Sequence, residues 1–393
     1  MDVERKNVAV LAGCQGLLHS NNSILISVNA LAGFALAADK SLATLPVTMY
    51  FVGSALTTLP ISLLMKHTSR RAGFVTGAAC ALLGALLSGW AVIVRDFWLL
   101  CAGVMLIGVY SAAGRLYRFA AADAAPPEFK SQAISLVLAG GVIGGFLGPE
   151  TSKLTTRLIE GHPYAGAYFS LTVFALLTIG LMRWLDIPPL TEAQRSDAGR
   201  PLLDIAKQPS FIVAVLAAML GYGVMNLLMT ATPLAMAACE HPFSDAAFVI
   251  QWHVVAMFAP SFVTGTLIRR IGLLPVMLAG VALEGFCVAI ALSGIDVLHF
   301  WLALVLVGVG WNFIFVGATA LITETHTPAE RGKVQGVNEM AILLTLVLSS
   351  LSSGALFSYQ GWQSMNIAAL PVLSVAAGGI LWLAWSRRQT RAA

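Results

Sequence analysis

The sequence predicts an all-α integral membrane protein: twelve transmembrane helices in two six-helix bundles related by a pseudo-twofold axis. Three observations predict it. Of the 393 residues, 58% are hydrophobic and only 11% charged, where a soluble domain carries roughly a quarter charged residues; the mean hydropathy is +0.82. The apolar residues fall in runs of the ~20 residues needed to cross a bilayer as a helix. Lysine and arginine concentrate in alternate breaks between those runs.

Taken in order, the runs place helices near residues 8–37, 43–65, 72–93, 98–120, 131–156, 164–184, 209–237, 246–268, 273–293, 298–322, 333–358 and 365–386. Each break falls at charges or at Pro and Gly, which end or bend helices. Runs this long exclude a membrane β-barrel, whose strands need only ~10 residues. The first run lacks a clear small-residue cleavage site and is expected to stay as a helix. Five scattered cysteines show neither a disulfide framework nor metal-finger spacing. A dispersed net charge of +4 does not suggest nucleic acid.

The charge bias sets the expected orientation. With the N-terminus in the cytoplasm, Arg5, Lys6, Lys66, Arg70, Arg71, Arg118, Lys130, Arg183, Arg269, Arg270, Arg331, Lys333, Arg387 and Arg388 fall inside. Only Lys40, Arg95, Lys153 and Arg157 fall outside. Both termini are therefore expected in the cytoplasm. A polar connector rich in proline, residues 187–208, separates an N-terminal bundle (1–186) from a C-terminal one (209–393). Weak internal similarity supports the division. Pro126–Ala133 (PPEFKSQA) matches Pro328–Gly336 (PAERGKVQG), half the chain away, and the turn after the second helix matches the turn after the eighth. Parallel repeats of this kind imply a cavity between the bundles.

With these motifs the sequence resembles the major facilitator superfamily along nearly its full length. Gly265–Gly272 (GTLIRRIG) resembles that family's G-x-L-x-D-R-x-G-R turn, with Arg269 in place of the acid. The first-half copy is more degenerate: Ser62 replaces the glycine and Lys66 the acid. Arg118–Glu128 and Gly140–Glu150 also resemble family segments. The resemblance implies a transporter without catalysis or a prosthetic group.

Polar residues inside the spans are few and costly unless paired or wetted. Asn21, Asn22 and Asn29 on the first helix fit either a substrate path or helix–helix hydrogen bonds. Glu150 is a candidate for coupling, and Glu284, midway along the ninth helix, reads as a structural pair. Arg115 and Arg118 are expected to pair with Glu324, Glu339 or Asp123. Met225 and Met229 stand i,i+4 on the seventh helix, as do His253 and Met257 on the eighth, so each pair shares a face. Helical rise puts both pairs near mid-membrane. Thioether and imidazole ligands favour a soft ion such as Cu(I); packing, a proton relay or an organic substrate fit the same spacing. Met236 and Cys239 lie farther out, as ligands at the mouth.

The two motifs resemble those of CcoA-like copper transporters, whose family includes a riboflavin-uptake branch. The resemblance implies a monomeric importer of the bacterial inner membrane that delivers copper to a cytoplasmic acceptor by alternating access. Riboflavin or another small organic compound is the alternative, and a non-transporting sensor or assembly factor a further one.

Overall fold

The computed structural model describes residues 3–39, 42, 45–197 and 199–392; Lys40 lies outside them. Among the described residues every regular element is a helix. The order is α1 (Val3–Leu36), α2 (Leu45–His67), α3 (Arg70–Val94), α4 (Phe97–Gly114), α5 (Tyr117–Asp123), α6 (Lys130–Ala139), α7 (Gly141–Thr155) and α8 (Ala165–Leu181). Short α9 (Glu192–Ser196) and α10 (Leu202–Ala206) follow in the connector. Then come α11 (Pro209–Ala238), α12 (Phe243–Phe258), α13 (Ser261–Ile271), α14 (Leu273–Ser293), α15 (Val297–Thr323) and α16 (Arg331–Ala392). Gly361, at φ 76°, divides α16 into two helices.

Nine helical segments among the described residues are long and apolar enough to span a membrane, and the bent pair α12–α13 makes a tenth. The more polar α1 and the part of α16 before Gly361 complete twelve rods in the expected order. In a bilayer every backbone N–H and C=O must be satisfied within the segment, which is why apolar runs fold as helices.

The breaks have local causes. Pro260 has no N–H to donate, and the eighth span bends by 41° between α12 and α13. The fifth span breaks at Gly140, which lies against the Ala12 carbonyl of α1 where a Cβ would collide. Asp96 caps α4 by accepting from the Leu99 N–H at 3.0 Å.

Two compact units form. One comprises Met1–Ala125, Gly140–Gly199 and Thr327–Val337; the other comprises Pro126–Ala139, Arg200–His326 and Asn338–Ala393. In the first, α3 packs on α4 and α8, α2 on α4, and α7 on α1. In the second, α15 is central: α11, α12 and α14 all pack against it, while α11 and α12 touch each other little. The short α6 belongs to this unit and packs on α13, where the Ser135 hydroxyl donates to the Ser261 carbonyl and accepts from the Gly265 N–H.

Candidate functional site

The second unit carries a polar and aromatic centre built on α15. Trp311 stacks on Phe315 with ring centroids 4.7 Å apart. Tyr222 of α11 meets both rings edge-on at 5.1 and 5.3 Å, and Phe258 of α12 meets Trp311 at 5.8 Å. Trp311, Phe315 and Phe258 are buried and Tyr222 is half-buried. The indole N–H of Trp311 has no acceptor.

Beside the rings, Asn312 repairs the break at Pro260. Its Nδ2 donates to the Met257 carbonyl at 2.7 Å and to the Ser261 hydroxyl at 2.5 Å, while its Oδ1 accepts from Thr264 at 2.7 Å. Asn312 is fully buried, and these bonds take up polar groups that the bend would otherwise strand. A Trp-Asn pair inside an otherwise apolar run was the available sequence signal for this centre.

The expected ligands sit around the same helices. Met225 and Met257 are buried, Met229 is half-buried and His253 is fully buried. The His253 ring turns to α15: Nδ1 lies 2.8 Å from the Leu304 carbonyl, so Nδ1 carries the proton, and Nε2 is left without a partner. Met236 is fully buried, and Cys239 is the half-buried C-cap of α11.

On α1, Asn22 accepts from the Tyr50 hydroxyl at 2.6 Å and Asn29 from the Tyr168 hydroxyl at 2.7 Å, tying α1 to α2 and α8. Asn21 is buried with an unpartnered Oδ1. Glu150 is exposed and forms a surface pair with Lys153 at 2.6 Å.

Of the acids expected to pair with Arg115 and Arg118, two are held by other arginines. Asp123 joins Arg70 at 2.6 Å and Arg331 at 3.2 Å. Arg118 donates to the Arg115 carbonyl, its guanidinium over the Phe119 ring, and Glu324 pairs with Arg387 at 2.6 Å. Two buried guanidiniums thus share one carboxylate. Burial, then the neighbouring Arg70, push the Arg331 guanidinium down to about 10, and Asp123 opposes them.

The Major Facilitator Superfamily profile matches residues 11–260 and 241–393. The chain belongs to the Major Facilitator Superfamily. Riboflavin transporter RfnT of Brucella anthropi is 39% identical over 373 residues, covering 94% of each chain. Among solved structures, FucP in its outward conformation aligns with TM-score 0.76 at 17% identity, over 97% of this chain and 99% of that one. The human organic anion transporter MFSD10 aligns with TM-score 0.78 at 14% identity, over 97% and 100%. These structures establish the fold, an all-α many-span architecture, and membership of the family makes the chain a transport protein rather than an enzyme.

The copper expectation is overturned. The 39% relative is a riboflavin transporter. Among the described residues no three His, Cys, Asp or Glu side chains form a metal-holding group. Of the donors expected at Met225, Met229, His253 and Met257, only His253 is more than a thioether, and one of its nitrogens is committed to a backbone carbonyl. Copper as cargo, Met236 and Cys239 as its ligands at the mouth, and a cytoplasmic copper acceptor fall with it.

Proposed function

We propose that the chain carries riboflavin, or a planar organic compound of similar chemistry, across the bacterial inner membrane by alternating access. The observation that carries this reading is the full-length relation to a riboflavin transporter at 39% identity. The aromatic centre on α15 supports it, because flat heterocycles are held by ring stacking with a few placed polar groups. Tyr222 and Trp311 supply the rings, and the unpartnered Trp311 N–H and His253 Nε2 offer one donor and one acceptor. In this reading Met225, Met229 and Met257 are packing, and Asn21 is a polar group of the path.

The same reading takes the chain as a monomer with both termini in the cytoplasm, and the stretches 1–186 and 209–393 as the moving parts joined by 187–208. The test is riboflavin uptake into proteoliposomes, followed by its fluorescence, for wild type and Trp311→Leu. Saturable uptake that Trp311→Leu weakens at least several-fold is expected. A wild-type protein that moves no riboflavin refutes the reading.

A further inference from the structure

Glu284 has no role in the transport reading so far, and the structural pair expected for it is absent. It sits in the middle of α14 and is fully buried. Neither carboxyl oxygen has a hydrogen-bond partner. Its position is created by a close helix crossing. A Cβ on Gly280 would lie 2.6 Å from the Gly310 carbonyl, and a Cβ on Gly310 would lie 2.8 Å from the Glu284 side chain. Only glycine lets α14 and α15 approach this closely.

The groups around it offer no counter-charge. Cys287, also buried, is the titratable neighbour on α14. From Phe300 to Thr323, α15 carries no titratable side chain. On α11 the candidate is Tyr222, which faces the Trp311 and Phe315 rings. Arg269 and Arg270 are exposed at the far end of α13. On α16, Trp362 donates to the Ala291 carbonyl of α14. One turn on, Asn366 is fully buried with Oδ1 lacking a donor. Arg387, at the other end of α16, is held by Glu324.

A carboxylate in such a crossing would be an unpaired charge in a tightly packed, low-dielectric seam, a cost of several kcal/mol. The uncharged acid fits the closed seam, and the charged form requires water or a cation to enter it. Proton occupancy and the α14–α15 packing are therefore linked: whichever arrangement wets the seam favours release, and the closed one favours binding. Ionisable side chains at membrane depth mark substrate or proton pathways by default.

We propose that Glu284 carries the coupled proton of this transporter, binding it when the seam closes and releasing it when α14 and α15 part. The inference rests on the chain being a transporter, and it deepens that reading by naming the coupling ion and its site. One proton taken up on one side is released on the other, so each cycle moves one positive charge with a neutral substrate. A gradient of one pH unit then supports up to about tenfold accumulation.

The test uses the full-length protein in liposomes with an imposed pH gradient. Wild type and Glu284→Asp should concentrate riboflavin. Glu284→Gln, which cannot release a proton, should lose that accumulation yet still exchange internal for external riboflavin. A second readout needs no substrate: the infrared carbonyl band of a protonated carboxyl should be present in wild type and missing in Glu284→Gln. Accumulation in Glu284→Gln equal to wild type, or wild-type uptake indifferent to the gradient, overturns the proposal while leaving riboflavin transport standing. No riboflavin movement, with the infrared band present and lost in Glu284→Gln, overturns the substrate and leaves the proton site standing.

Discussion

Replacing Asn312 with leucine tests whether the bend at Pro260 is held by one side chain. Leucine keeps the approximate volume and removes the amide. Two of the three hydrogen bonds cannot be replaced: those donated to the Met257 carbonyl and to the Ser261 hydroxyl. The third can, because Thr264 already lies 2.8 Å from the Pro260 carbonyl and can donate there instead. Hydrogen bonds between membrane helices average ~0.6 kcal/mol, so two contribute about 1 kcal/mol. The Met257 carbonyl is then stranded beside a break where Pro260 interrupts the N–H ladder, adding about 1–3 kcal/mol. The expected loss is about 2–4 kcal/mol. Reversible unfolding in mixed micelles measures it, and a double-mutant cycle with Ser261→Ala isolates one bond. Asn312→Leu as stable as wild type, or additive with Ser261→Ala, would refute the reasoning.

Other consequences follow from the same geometry. Asp123→Asn leaves two buried guanidiniums without their shared carboxylate and should cost about 3–5 kcal/mol in the same unfolding measurement. Arg331→Gln should cost clearly less than Arg70→Gln, because burial and Arg70 already disfavour the Arg331 charge; equal losses would contradict this. Met225→Leu and Met229→Leu should each cost under about 1.5 kcal/mol as volume-conserving changes, and metal analysis of the purified wild type should find no stoichiometric copper. Gly140→Ala should destabilise by about 1–3 kcal/mol as its methyl meets the Ala12 carbonyl, read as a lowered midpoint on heating.

The fold was legible because hydropathy in a membrane protein reports a strict requirement. A segment in hydrocarbon satisfies its own backbone, so apolar length alone gives the helices. The fifth and eighth spans broke where a local residue intervened, at Gly140 and Pro260, the fourth also broke between α4 and α5, and the outermost helix ends moved by several residues. The candidate site was less legible. The i,i+4 spacing placed Met225 with Met229 and His253 with Met257 on common faces, but it carried no information about what those faces meet. It favoured a partnership between α11 and α12, and the structure puts α15 against both. The ring of His253 therefore reaches a carbonyl of α15, and the aromatic rings gather there.

By itself, then, the sequence determined a twelve-span, all-α transporter, through composition, run length and motifs that depend on local chemistry. Only the tertiary structure decided that Asp123 serves two arginines, that Asn312 holds a proline break, and that Glu284 stands without a partner at a glycine crossing. The reason is that helical periodicity fixes a side chain's direction on its own helix. Its energy is set by the groups that distant helices bring to it.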